Sequence, residues 1–206
     1  VKKSLLILPI VLIAMAMALT ACGGGSSSSS SSGGGEEAAI EEAIETSATS
    51  TDPSKCSEVQ TELFNETETG KSGAAALKTC EEEVEAENSE PAESVTVTNV
   101  EIVEGSGAAA EVELEGSALS GQTVAVALEK EEGAWKVDGF MGFTKYDPAP
   151  IAEALEGKLG EEEGITPQLA ACISEGVAEM SKGEAEAMIF EKNNEGVEEI
   201  ASTCNE

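Results

Sequence analysis

The sequence predicts an α+β fold, with N-terminal helices packed on a four-stranded antiparallel sheet and a small C-terminal helical unit. Three observations predict it. Apolar residues recur at helical spacing from Glu36 to Val84, the period changes to two between Ser94 and Phe140, and helical spacing returns beyond Pro150. Helices followed by an antiparallel meander bury one sheet face under a helical layer.

The first helical segment, Glu36 to Glu45, carries Ala39, Ile40, Ala43 and Ile44 on one face. Asp52-Pro53 reads as an N-cap and first helical position, with Cys56, Val59 and Leu63 following at helical spacing. Ser72 is placed to cap a third helix whose apolar face is Leu77, Cys80 and Val84. Four strands follow, over Ser94 to Val103, Ala108 to Glu115, Thr123 to Lys130 and Ala134 to Phe140. The second alternates cleanly, with Ala108, Ala110, Val112 and Leu114 inward and Glu111, Glu113 and Glu115 outward. Gly105-Ser106-Gly107, Ser120-Gly121 and Glu132-Gly133 supply tight turns between them. The third strand is apolar on both faces, which predicts a central place in the sheet, covered by helices on one side.

Asp147-Pro148-Ala149-Pro150 punctuates the boundary to the C-terminal unit. Thr166-Pro167 caps a segment bearing Leu169, Cys172, Ile173, Val177 and Met180, and Ser181 with Glu184 forms a capping box. Asn193-Asn194 breaks the chain before Val197, Ile200, Ala201 and Cys204. So small and aromatic-poor a unit must pack on the sheet or be stapled.

Composition excludes several functions. The formal net charge is -30, all eleven basic residues are lysine, and there is no histidine. Nucleic-acid binding needs cationic contacts to phosphate, so that class is excluded. The same charge repels anionic headgroups, so attachment to a membrane has to be covalent. The acids chiefly confer solubility and mutual repulsion, with recruitment of cations or a basic partner as the other use. Aromatics are only 3%, which leaves Trp135, Phe140 and Phe143 as rare large pieces in a core of Ala, Val, Leu and Ile.

The N-terminus reads as an address. Lys2 and Lys3 precede an apolar run from Leu5 to Leu19, broken by Pro9 and closed by Leu19-Thr20-Ala21-Cys22. That run falls short of the roughly 20 apolar residues a membrane-spanning helix needs, and has the proportions of a signal peptide. The closing tetrapeptide resembles the bacterial lipobox. The resemblance implies diacylglyceryl transfer to the Cys22 thiol, cleavage before it and acylation of the new amino group. Two or more acyl chains anchor stably where one is marginal. Residues 1–21 are therefore read as a lipoprotein signal peptide and 22–35 as a flexible Gly/Ser tether. Residues 36–147 make the α+β domain and 148–206 the helical unit.

Four further cysteines each lie on the apolar stripe of a predicted helix, two in each unit. Three pairings are open. An exported chain permits disulfides, and the local pairing Cys56–Cys80 with Cys172–Cys204 keeps each bridge inside one unit. Each such loop contributes about 3 kcal/mol in the chain-entropy model. Metal binding lacks support, since there is no CxxC and no histidine.

The helices-then-sheet order, with Glu131-Glu132-Gly133-Ala134-Trp135-Lys136-Val137-Asp138-Gly139-Phe140, resembles nuclear-transport-factor-2-like (cystatin-like) lipoproteins of the bacterial, in particular actinobacterial, envelope. That likeness spans about Glu36 to Phe143. It implies a cone-shaped cavity between helices and curved sheet, used by some members for catalysis and by others for binding. The cysteine-bearing C-terminal helices resemble a module appended to actinobacterial envelope proteins. By simple alternation Trp135 and Val137 point into the core while Lys136 and Asp138 point out.

No catalytic set emerges. Ser/His/Asp and Cys/His sites need a histidine that the chain lacks. Glu81-Glu82-Glu83 and Glu161-Glu162-Glu163 read as solvated faces, without the spaced Asp/Asn loop that calcium requires. No catalytic residue, metal ligand or cofactor site is expected. The expectation is a non-enzymatic, membrane-anchored extracytoplasmic lipoprotein that takes an envelope protein or small-molecule ligand. The alternative is a lipid-tethered enzyme using carboxylates.

Overall fold

A computed structural model describes residues 34–86, 91–103, 107–162 and 164–205. The segments read as signal peptide and tether, with Cys22, lie outside the described residues as far as residue 33, as do Gly105, Ser106 and Glu163. Four helices come first among those described: α1 (Gly34–Thr49), α2 (Lys55–Glu58), α3 (Glu62–Thr69) and α4 (Ala74–Glu85). Four strands follow, β1 (Ser94–Val103), β2 (Gly107–Glu115), β3 (Thr123–Glu131) and β4 (Ala134–Lys145). The chain then returns to helix in α5 (Pro148–Glu161), α6 (Pro167–Ala178), α7 (Lys182–Phe190) and α8 (Glu195–Cys204). The strands form one antiparallel sheet in the order β1-β2-β3-β4.

Local chemistry explains most boundaries. Glu132 and Gly133 both have positive φ, 52° and 92°, the backbone that closes a two-residue hairpin. The Asp147 side chain accepts from Ala149 N, so the proline-rich boundary is itself the first turn of α5. Thr166 caps α6, and Ser181 with Glu184 forms the capping box of α7. Two expectations fail. Asp52 is not a helix cap: its carboxylate accepts from Ser54 N in an Asx turn, and α2 starts only at Lys55. Ser72 does not cap α4: the N-cap is Gly73, whose amide donates to the Glu66 carboxylate of α3 at 2.7 Å.

The inner sheet face carries Ala108, Ala110, Val112 and Leu114 from β2 and Val124, Val126 and Leu128 from β3, all buried. Helix α1 crosses this face, contacting β1 and β4 through Ile40, Ala43 and Ile44. Val112 and Val124 are each 1% exposed, and Ile40 is fully buried. A water-filled cone would expose its lining, so the space between α1 and the sheet is packed solid. The outer face carries Glu111, Glu113 and Thr123, with Ala125 and Ala127 half-buried at its centre.

The C-terminal helices pack on one another, α6 against both α5 and α8, and join the same core as the sheet. Two buried polar side chains fix them. Gln122 donates to the Asp147 carbonyl at 2.7 Å and accepts from Asp147 N at 2.8 Å, imitating a strand pair at the entry to α5. Ser174 of α6 donates to the Ala152 carbonyl of α5 at 2.9 Å. Lys55 is buried with its ammonium on the Ser50 carbonyl, 2.9 Å away at the end of α1, and desolvation lowers its pKa.

Candidate binding cleft

Three irregularities in β4 build the candidate site. The register against β3 shifts between Thr123 and Val124, between Ala125 and Val126, and between Ala127 and Leu128. Each shift adds a residue to β4, so the inward positions become Val137, Phe140 and Phe143, opposite Leu128, Val126 and Val124. Strict alternation would have turned Phe140 outward. The strand also runs on to Lys145, five residues beyond the end the sequence predicts at Phe140.

The first wall of the cleft is α3, and one hydroxyl seats it. Thr61 Oγ1 accepts from Phe64 N at 3.1 Å, capping the helix, and donates to Asp138 Oδ1 at 2.8 Å. The backbone agrees, since Thr61 N donates to the Val137 carbonyl and Val137 N donates to the Val59 carbonyl. Residues 59–61 thereby cover part of the free edge of β4. The other wall is α7. Glu186 Oε1 accepts from Phe143 N at 2.8 Å, and the Tyr146 hydroxyl donates to the Met180 carbonyl at 3.2 Å. Desolvation, then the Glu184 and Asp147 charges, raise the pKa of Tyr146.

Between these walls lies a cleft of about 270 Å³, lined by Leu63, Phe64 and Glu68 of α3, Asp138 and Phe140 of β4, and Phe190 of α7. Its aromatic content is unlike the rest of the molecule. All four phenylalanines and the single tyrosine link into one string: Phe64–Phe140 at 5.6 Å, Phe140–Phe190 at 5.4 Å, Phe190–Phe143 at 4.9 Å and Phe143–Tyr146 at 5.3 Å. Leu63, expected on a buried helix face, is 57% exposed at the rim. Glu68 there holds Lys192 at 3.0 Å, closing an ion pair between α3 and the chain after α7.

The residues singled out in the sequence fall elsewhere, with one exception. Cys56 is bonded to Cys80, with Cα atoms 6.1 Å apart, and Cys172 to Cys204, 5.9 Å apart. Neither bridge touches the cleft. Trp135 is buried on the inner face, with the Lys130 ammonium 5.3 Å from its ring, and its indole N–H finds no hydrogen-bond partner among the described residues. It serves as an apolar plate. Within the first glutamate cluster Glu82 pairs with Lys78 at 2.6 Å on the exposed side of α4, and Glu162 in the second is also exposed. The exception is Asp138, which alternation placed outward. It sits at a register shift, bonded to Thr61, and lines the cleft.

A second hollow, on the open sheet face beside Glu101, Glu111, Ala125 and Met141, is floored by small residues and lacks walls. Among the described residues, no group of three His, Cys, Asp or Glu side chains is placed to hold a metal ion. No described helix is long and apolar enough to cross a membrane. No protein-family model matches the chain, and no curated protein or solved structure matches it.

Proposed function

We propose that this chain is an extracytoplasmic lipoprotein, held to a membrane by acyl chains on Cys22, whose folded body is a non-catalytic binding module. The observation that carries the binding reading is that three of an aromatic-poor chain's rings, Phe64, Phe140 and Phe190, line one partly open cleft. Two disulfides within the body support an oxidising compartment, as the lipobox requires. The two carboxylates of the cleft are each engaged, Asp138 by a hydroxyl and Glu68 by a lysine. That favours recognition over acid–base work. The helices-then-sheet order supports kinship with the nuclear-transport-factor-2-like lipoproteins, with the binding site moved from a central cone to the β4 edge.

Two experiments test the two halves of this reading. Cys22→Ala is expected to move the protein from the membrane to the soluble fraction, and continued membrane retention refutes the anchor. A photo-crosslinking residue in place of Leu63 is expected to capture a defined adduct in intact cells. The same residue at Glu156, exposed on α5 outside the cleft, is expected to capture none. Equal capture at both positions refutes the cleft.

A further inference from the structure

We propose that the cleft takes a small organic cation, a quaternary ammonium or protonated amine with a compact apolar body. The proposal rests on the cleft being a binding site and names its ligand class. Three rings, Phe64, Phe140 and Phe190, line one cleft and pack on one another at centroid spacings of 5.6 and 5.4 Å, with Phe64 buried behind and Phe140 and Phe190 half-buried at the accessible surface. Ring faces are the negative part of the aromatic quadrupole, so a cation gains against them where an anion loses. An uncharged ligand would be served by the rings alone. Here, however, Asp138 and Glu68 share the lining.

Their present partners differ in a way that matters. Glu68 already holds an ammonium, Lys192 Nζ, 3.0 Å from its carboxylate. Among the described residues Asp138 receives the neutral Thr61 hydroxyl and no cation, so its negative charge is not paired beside Phe140. One carboxylate of the cleft is matched by the protein and one is left for the ligand. Thr61 orients it from the cap of α3, which fixes the charge relative to Phe64, three residues on. A volume of about 270 Å³ suits a compact head rather than an extended chain. The whole-chain charge of -30 acts in the same direction, drawing cations in and turning anions away.

Choline and its uncharged carbon analogue, in which tert-butyl replaces trimethylammonium, test the proposal directly. The chain has four phenylalanines, so fluorine-labelled phenylalanine gives one magnetic resonance signal for each ring. Choline is expected to shift the Phe64, Phe140 and Phe190 signals saturably, and to bind at least about tenfold tighter than the carbon analogue. Asp138→Asn, which keeps an oxygen for Thr61, is expected to weaken choline by about fivefold or more, and Glu68→Gln by less. Glu156→Gln, outside the cleft, controls for net charge and is expected to change affinity by less than about twofold. Equal binding of both probes, or binding indifferent to Asp138→Asn, overturns the cation and leaves an apolar site. If no ring signal moves while crosslinking from Leu63 still gives its adduct, the cation proposal falls and the binding reading stands. Silence in both experiments removes both.

Discussion

The two stapled halves of the molecule are held by different means. In the N-terminal half the bridge Cys56–Cys80 joins α2 to α4, beside a sheet whose inner face is already packed against α1. In the C-terminal half the bridge Cys172–Cys204 joins α6 to α8. The buried apolar side chains there, Ile151, Ala152, Ala170, Ile173, Val177, Ala185 and Val197, sit on helices rather than strands, with Met180 between α6 and α7. The bridged residues lie 24 and 32 positions apart, a difference worth only about 0.3 kcal/mol of loop entropy. The bridges are therefore near-equal probes, and unequal consequences of cutting them report how much else holds each half. Both halves share one core, but the first has a hydrogen-bonded sheet beside its bridge, whereas in the second α6 and α8 are joined by helix packing and the bridge.

The largest expected effect breaks this comparison open. Replacing both cysteines of either bridge by serine costs about 3 kcal/mol. Without Cys172–Cys204, backbone amides of α6 and α8 are expected to lose hydrogen-exchange protection while β2 and β3 keep theirs. Without Cys56–Cys80 the loss is expected in α4 and at Val137, whose amide bonds to Val59. Global unfolding in both cases would erase the distinction. Next comes Gln122→Leu, which strips two hydrogen bonds from the Asp147 backbone and is expected to cost about 2 kcal/mol by urea denaturation.

A pair of glycines sharpens the same contrast. A Cβ on Gly176 of α6 would sit 2.5 Å from Ile200 Cγ2 of α8. Gly176→Ala gains about 1 kcal/mol of helix propensity but loses about 2 to overpacking, so a net loss near 1 kcal/mol is expected in thermal melts. Gly157→Ala on exposed α5 meets nothing within 4 Å and is expected to stabilise by up to about 1 kcal/mol. The smallest effect is pH dependence at the junction. The pKa of Tyr146 is raised, so its contribution is whole below the ordinary value of 10.0 and is lost as pH rises through the raised one. As Tyr146 is the only tyrosine, its tyrosinate absorbance reads this alone, and titration at the ordinary value would place its ring in free solvent.

Much of this architecture was legible because single residues dictate it. Alternation in β2 and β3, the Glu132-Gly133 turn, and the caps at Thr166 and Ser181 each follow from local rules the tertiary fold does not override. The cleft was not legible, for two physical reasons. A strand with register shifts abandons period two, so Phe140 and Phe143, three apart, give no strand signal although both face inward. The second reason is distance. Phe64 and Phe190 come from opposite ends of the chain, and nothing local shows that they meet Phe140. Asp138 was misplaced for the first reason, and Leu63 because the helical spacing from Cys56 breaks after Glu58 and restarts in α3 at Glu62.

Strand β1 carries a last consequence. Its run Val95-Thr96-Val97-Thr98 pairs with β2 along one edge, and among the described residues no strand pairs with the other. Such an edge invites a second copy, and β1 is blunted only by the irregularity after Thr98 and by Asn99, at φ 50°. Thirty excess negative charges on each chain oppose such joining. Colloidal stability in this protein is thus an acid-sensitive property separate from folding. Near the isoelectric point of about 4.1 that repulsion falls away, and edge-to-edge association is expected to rise there.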